Sequence, residues 1–594
     1  MPWIRRRELV SLGVVGALGV SGQGVEPFPE AVELGALDGA AGFTVASLAF
    51  FDFFGESVAS AGDVNADGFG DIVIGLPEAG PNGADSGQSV VVFGGPGVGA
   101  GGSIVASALD GTNGFVLNGA RRDGDVRNYS GAAVASAGDV NGDGVDDLVI
   151  GAGFVDVVTV STVLGSSYVV FGRAGIGGGG AVELGQLDGV DGFAIERTQL
   201  NDATGFAVAS AGDLNADGID DVVIGAPSSF GPSVRSGAAY VVFGGSSVGG
   251  SGVVSLGSLD GTTGFVLRGV GAQERAGSSV ASAGDVNGDG IGDLIVGAPG
   301  ARFDGLAGAG ASYVVFGAPG VGSGGVIEAG SLDGTEGFVL GGDAGSSSGS
   351  SVASAGDVNG DGIGDLIIGA PLASGDGTAG AGVSAVVFGD PLIGSRGSVA
   401  LGGLDGQAGF FVRGVAAFDN SGVSVASAGD VNGDGFDDLL IGAERADPGG
   451  RADAGATYVV FGRTSIGAAG VIDLSSLDGL TGFVTNGVTS RDLTGSAVSP
   501  AGDVNGDGID DLLTSTETVP RNSEPRAGRC FVVFGRDLLC VPDANRDGVL
   551  SPADFDAWLL AYTTRSRVCD QNGDGACTPA DLNAWIVNYD AGCP

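Results

Sequence analysis

Short apolar runs broken by Gly, Ser and Asp fill residues 30–536, and none has the length or spacing of an amphipathic helix. One unit, Ser279–Phe316, shows the pattern. A small-residue run, SVASAGD, precedes an apolar, β-branched run, DLIVGAP. A Gly/Ala/Ser-rich stretch then leads to SYVVFG, and GFVL follows a Leu-Asp-Gly turn. All four runs have strand length and strand composition, bounded by Gly and Pro. The unit recurs seven times, marked by DVNADGFGD, DVNGDGVDD, DLNADGIDD, DVNGDGIGD, DVNGDGIGD, DVNGDGFDD and DVNGDGIDD. Successive copies are 76, 74, 72, 72, 73 and 73 residues apart. A repeat of that length is one supersecondary unit copied along the chain. Four short strands per copy predict one blade of a propeller, so the fold class is mainly β and the ring has seven blades.

The Leu-Asp-Gly element is out of register with the loops. Its aspartates are Asp38, Asp110, Asp188, Asp260, Asp333, Asp405 and Asp478, each followed by Gly-Phe. The first copy precedes the first loop, and nothing equivalent follows Phe534. A strand near Phe43–Val45 is therefore expected to complete the seventh blade beside Leu512 and Phe531–Phe534, leaving no open ring edge. A calcium β-helix would need a nonapeptide period, which is absent.

The nine-residue loops change the picture from architecture to chemistry. Calcium takes six to eight oxygens. In the fourth loop Asp285, Asn287 and Asp289 supply side-chain oxygens, Ile291 its carbonyl, and Asp293 closes the set at the ninth position. The matching sets are Asp63, Asn65, Asp67, Phe69 and Asp71; Asp139, Asn141, Asp143, Val145 and Asp147; Asp213, Asn215, Asp217, Ile219 and Asp221. The later ones are Asp357, Asn359, Asp361, Ile363 and Asp365; Asp430, Asn432, Asp434, Phe436 and Asp438; Asp503, Asn505, Asp507, Ile509 and Asp511. An EF-hand closes at position twelve, which is Val296 here, inside a strand. The sites thus belong to β-hairpin turns, and calcium is expected there in a structural role.

Composition narrows the functions. Glycine is 121 of 594 residues, without a collagen-like period, so it serves turns and loops. Apolar content of 43% is enough to build cores. The formal charge is −46, which makes nucleic acid and anionic membrane poor partners. Histidine is absent, which excludes a Ser-His-Asp triad, a Cys-His pair and a histidine-ligated zinc site. Paired carboxylates remain open to glycoside hydrolysis, but most aspartates are taken up by loops and turns.

The two ends differ from the repeats. Arg5, Arg6 and Arg7 followed by an apolar run from Leu9 to Val20 read as an export signal over residues 1–22, with an uncleaved anchor as the alternative. Export places the chain in the periplasm, at the cell surface or outside the cell, with no membrane span left once the signal is removed. From Cys540 two segments match each other at an offset of 27, Asp543–Tyr562 and Asp570–Tyr589. Each opens with a twelve-residue oxygen-rich loop. The first carries Asp543, Asn545, Asp547, Val549 (carbonyl), Ser551 and Asp554; the second Asp570, Asn572, Asp574, Ala576 (carbonyl), Thr578 and Asp581. Phe555, Trp558, Leu559 and Tyr562 are spaced for one helix face, as are Leu582, Trp585, Ile586 and Tyr589. All five cysteines lie at this end, and their connectivity stays open; Cys569–Cys577 and Cys540–Cys593 are the favoured pairs, with Cys530 a buried thiol.

Residues 30–536 resemble the FG-GAP repeats of the integrin α-subunit headpiece. Gly-Ala-Pro stands at 225–227, 297–299 and 369–371, and Phe-Gly at Phe54-Gly55. The resemblance implies a seven-bladed propeller; integrin legs and a membrane span are missing. Residues 540–594 resemble a type I dockerin of the kind that ends in Gly-Cys, a small α-helical, EF-hand-like module. That resemblance implies docking to a cohesin-like or other surface or scaffold protein, although loop positions ten and eleven are Pro552-Ala553 and Pro579-Ala580. The expected function is an exported, calcium-binding, non-enzymatic binding or adhesion propeller attached through that module. The alternative is a carbohydrate-active enzyme, a hydrolase or lyase, using the propeller as its catalytic domain. A glycan or protein ligand is expected on loops opposite the calcium turns. Phe50, Phe51, Phe53, Arg121, Arg122, Arg127, Tyr129, Glu444, Arg445 and Arg451 are the candidates.

Overall fold

Each strand quartet becomes a sheet, and seven sheets close into a ring. The computed structural model describes residues 28–47, 52–120, 128–153, 166–197, 202–375, 377–516 and 528–536, with 555, 557–560, 562 and 582 in the tail. The chain divides into two compact units, Phe28–Asp537 and the remaining terminal segments. In the fourth repeat the antiparallel strands are Ser279–Gly284, Asp293–Ala298, Ala311–Val315 and Gly337–Gly341, where the apolar runs place them. A fifth strand, Ser398–Ala400, comes from the following repeat and runs parallel to Gly337–Gly341. All seven sheets carry such a strand, three residues long, laid on an edge that would otherwise be open. The expectation was four strands per blade. Three residues are too few to show as a hydrophobic run.

Crowding near the axis explains the small residues of SVASAG. The first strands of neighbouring blades pack on one another around the ring, from Val58–Gly62 on Ala133–Gly138 through to Thr494–Gly502 on Val58–Gly62. Ala61, Ala137, Ala211, Ala283, Ala355, Ala428 and Ala501 are fully buried in these strands. Larger side chains fill the space between sheets: Val223 and Phe265 of the third blade share one core with Leu294 and Val296 of the fourth. Stability therefore resides in blade-to-blade packing as much as within blades.

Ring closure follows the offset of the Gly-Phe element. Thr494–Gly502, Asp511–Thr516 and Arg529–Val533 are completed by Gly42–Ala46, with Phe43 opposite Val532. In the other six blades the Gly-Phe ring packs on the Phe that ends the third strand, as in Phe316–Phe338 at 5.7 Å. The seventh such pair, Phe43–Phe534 at 5.8 Å, joins segments from opposite ends of the repeat array. Ala31–Glu33 also serves as the fifth strand of the sixth blade, so the N-terminal segment holds two blades. Phe28 adds to this, stacked on Phe483 at 4.3 Å with the Arg536 guanidinium 5.4 Å from its centroid.

In the tail, Phe555, Ala557–Leu560, Tyr562 and Leu582 are helical. Trp558 stacks with Phe555 at 6.1 Å and with Tyr562 at 5.3 Å, as three- and four-residue spacings on one helix face require. The tail loop residues Asp543 to Asp554 and Asp570 to Asp581, the cysteines Cys540, Cys569, Cys577 and Cys593, and the leader 1–22 lie outside the described residues. Among the described residues no helix is long and apolar enough to cross a membrane.

Candidate functional site

A β-bulge aims each nine-residue loop. The first strand slips register before the loop, between Ser282 and Gly284 in the fourth blade. Gly284 sits at φ 72° and donates its N–H to Ser282 Oγ at 3.2 Å. The equivalent Gly62 shows why the position excludes a side chain, since a Cβ would come within 2.3 Å of the Asp146 carboxylate. The next residue begins the loop, and the ninth begins the second strand.

Within the loop, carboxylates meet amides. Asp285 accepts from the N–H groups of Asp289 and Gly290 at 3.0 and 2.8 Å. Asp289 accepts from Ile291 at 2.9 Å. Asp293 accepts from Val286 at 3.0 Å and from Gly317 at 2.8 Å, which ties the loop to the end of the third strand. The ninth-position aspartates Asp71, Asp147, Asp221, Asp293, Asp365, Asp438 and Asp511 are all completely buried. Their charged neighbours are the fifth- and first-position aspartates of the same loop.

The structure thus brings first, third, fifth and ninth positions into one hairpin seven times over. It does not gather them into a finished cage: among the described residues no three acidic side chains converge as a metal cluster would. The donor set is nonetheless all oxygen, the chemistry calcium prefers. In the first loop Asn65 Oδ1 is buried without a hydrogen-bond partner, so a third-position carbonyl oxygen has acceptor capacity to spare.

Burial pushes the ninth-position carboxyls up, the neighbouring carboxylates add to this, and the two amide hydrogen bonds oppose it. Asp71 and Asp293 reach about 7, Asp147, Asp221, Asp365 and Asp511 about 8, and Asp438 is also raised. An aspartate in the unfolded chain titrates near ~3.9. Between these values the folded state binds more protons than the unfolded one, so stability falls as pH rises. In chelator, the contribution of these groups is fully present below about pH 4 and lost as pH passes through about 8. Urea midpoints in chelator are therefore expected to be higher at pH 5 than at pH 8.5; the reverse order contradicts the assignment.

The eighth position escaped sequence reasoning. Asp146 accepts from the N–H of Asp63, the first loop residue of the preceding blade, at 2.8 Å. Asp220, Asp437 and Asp510 do the same for Asp139, Asp357 and Asp430. Where the eighth residue is glycine, Gly70 and Gly364 donate their own N–H to the Asp503 and Asp285 carbonyls. The loops are therefore linked at six of the seven blade junctions, the last to the first included; among the described residues Gly292 makes no such bond to the third loop. The visible signal was the alternation of Asp and Gly at that position.

At the opposite end of the blades the candidate anchors fare unevenly. Tyr129 is buried, Arg451 pairs with Glu33 at 2.9 Å, and Arg445 with Glu444 at 3.4 Å. Phe53 is half-buried with φ 54°. Phe50, Phe51, Arg121, Arg122 and Arg127 lie outside the described residues. Among the described residues, the exposed aromatic and aliphatic side chains on those loops include Phe206, Phe230, Val234, Leu306, Leu372 and Phe418. Cys530 is a free, buried thiol in the third strand of the seventh blade, and burial raises its pKa.

The comparisons with known proteins agree with this geometry. Residues 54–92, 130–170, 204–242, 276–315, 348–387 and 421–460 match the FG-GAP repeat. Each match runs from the end of the inter-blade loop through the nine-residue hairpin to the third strand. The seventh copy, where Ser515-Thr516-Glu517 replaces Gly-Ala-Pro, is outside these matches. The chain is also 34% identical over 171 residues to integrin alpha-5 from Xenopus laevis, an alignment covering 27% of this chain and 14% of that protein. What the chain carries is thus six FG-GAP repeats within a seven-bladed, integrin-like propeller.

Proposed function

We propose that the protein is an exported, calcium-stabilised, non-enzymatic binding or adhesion propeller, attached to a surface or scaffold partner through its dockerin-like C-terminal segment. The observation that carries this reading is the set of seven completely buried ninth-position aspartates whose charged neighbours are other carboxylates. Calcium would offset that charge and lock each hairpin. In the fourth loop it would be held by Asp285, Asn287, Asp289, the Ile291 carbonyl and Asp293. With the metal loops at one end of the blades, the long loops at the other are free to take a glycan or protein ligand. Similarity to an integrin chain supports binding or adhesion over catalysis. Incubation with polysaccharides in calcium tests it: glycan or protein captured without new reducing ends supports a binding protein. Turnover points to a hydrolase or lyase instead.

The tail supports attachment through its paired loop sequences and the helical residues Phe555, Ala557–Leu560 and Tyr562. Retention of the full chain at the cell surface is expected to require calcium and to be lost in a chain ending at Asp537. Asp543→Ala and Asp570→Ala should each weaken retention while the propeller's melting temperature stays put. Undiminished retention of the shortened chain removes the docking role.

A further inference from the structure

The third strand of the fifth blade lacks a side chain that its neighbours supply. Tyr168, Tyr240, Tyr313 and Tyr458 occupy one register position, opposite Ile150, Ile224, Val296 and Ile441. All four are buried. The hydroxyls of Tyr168, Tyr313 and Tyr458 belong with the loop that enters the blade, at the residue three before its closing glycine. Asn128 donates to Tyr168 Oη at 3.1 Å, and Tyr313 donates to Glu274 at 3.2 Å. Asp419, at the same loop position, acts electrostatically on Tyr458.

In the fifth blade both partners are replaced together. Ala385 stands opposite Ile368, and the loop residue is Ser346. A cavity of about 390 Å³ lies there. Its apolar lining includes Ile368, Leu372, Ala385, Leu401 and Phe411. Phe411 stands across from Ala385 where the tyrosine blades have Ala194, Val266, Val339 and Val484, and it adds an aromatic wall without closing the space. Ser346 Oγ donates to the Ala309 carbonyl at 2.8 Å, so what it offers a ligand is acceptor capacity. Asp343, also on the lining, is an acceptor too. The volume falls in the range of small-molecule sites, and the lining is mixed, with Asp343, Ser346, Ser348, Ser374 and Arg413 beside the apolar side chains.

We propose that this cavity binds a phenolic ring supplied from outside the chain, with the ring against Phe411 and Ala385 and the hydroxyl donating to Ser346 or Asp343. Four of the six sister blades fill the same position with their own phenol, the first and seventh carrying Val90 and Phe531 there, and those four define the ligand's chemistry. The proposal does not depend on the metal reading.

Calorimetric titration of the full chain with p-cresol in calcium buffer tests it, with N-acetyltyrosinamide and toluene alongside. p-Cresol is expected to saturate a site that Ala385→Tyr weakens at least about tenfold, and toluene to bind several-fold more weakly for want of a donor. Comparable binding of N-acetyltyrosinamide places the ring on a peptide partner; binding of p-cresol alone places it on a free phenol. If Ala385→Tyr melts lower than the parent, Ala385→Tyr with Ser346→Glu rebuilds the pair of the fourth blade and serves as the blocked form. No p-cresol binding up to its solubility limit, or equal binding to the blocked form, overturns the proposal.

Discussion

Chelation is expected to cost the propeller more stability than any single substitution in a blade. A ligand that binds only the native state adds RT ln(1 + [L]/Kd), about 2.7 kcal/mol per independent site at a hundredfold excess. The whole net stability of a domain is of order 5–15 kcal/mol. Seven such sites, with buried Asp71, Asp147, Asp221, Asp293, Asp365, Asp438 and Asp511 left uncompensated, therefore outweigh it. Scanning calorimetry should show a large drop in Tm in chelator, restored by calcium. Magnesium should restore it poorly, because it demands tight octahedral geometry and dehydrates reluctantly. The double substitution Asp285→Ala with Asp289→Ala removes one site and should lower Tm by only a fraction of that drop. Its effect should be largest on amide protection in the fourth blade and in the two blades packed against it. A Tm indifferent to chelator would sink the calcium reading and leave the loops as ordinary Asp/Asn/Gly turns.

How far the sequence discloses this molecule depends on how local each feature is. The four long strands per blade are written as apolar runs, and the loop hairpins as a fixed nonapeptide, so the positions of both could be read directly. Closure by Phe43 was legible because the Gly-Phe element is displaced by one place relative to the loops, a fact of order and not of contact. The three-residue fifth strands, such as Ser398–Ala400, are non-local: only pairing with the preceding blade defines them. The same holds for the cap that Asp146 places on Asp63, 83 residues away. Binding anchors were the least legible. Tyr129 looked like a loop aromatic, but it is buried at 2% exposure, while Phe418, at 67%, carried no sequence mark. Whether a loop side chain faces solvent is decided by the neighbouring blade, and no periodicity encodes it. The empty tyrosine position at Ala385 is an intermediate case, visible only once the repeats are laid in structural register.

Loss of the N-terminal strand is expected to open the ring. Gly42–Ala46 supplies the fourth strand of the seventh blade, and Ala31–Glu33 the fifth strand of the sixth. Removing residues 28–47 therefore exposes two edges at once, Arg529–Val533 and Gly482–Asn486, both of which offer unpaired backbone groups to other chains. It also removes Phe43 from Phe534 and Phe28 from Phe483. A point substitution isolates the packing part of this effect. Val45 is fully buried opposite Cys530, in a core shared with Ile72, Ile74 and Val90 of the first blade. Val45→Asp places a carboxylate there without a partner, at a cost of several kcal/mol in practice, whereas Val45→Ala costs about 1–3 kcal/mol through lost burial and the cavity left behind. The truncated chain is expected to lose amide protection first in Arg529–Val533, to elute as oligomers on size exclusion, and to regain a monomeric profile when the peptide 28–47 is added back. Val45→Asp should show the same order of unfolding, with Val45→Ala milder. A truncated chain that stays monomeric, with protection in 529–533 unchanged, would mean that blade-to-blade packing holds the circle closed without the N-terminal strand.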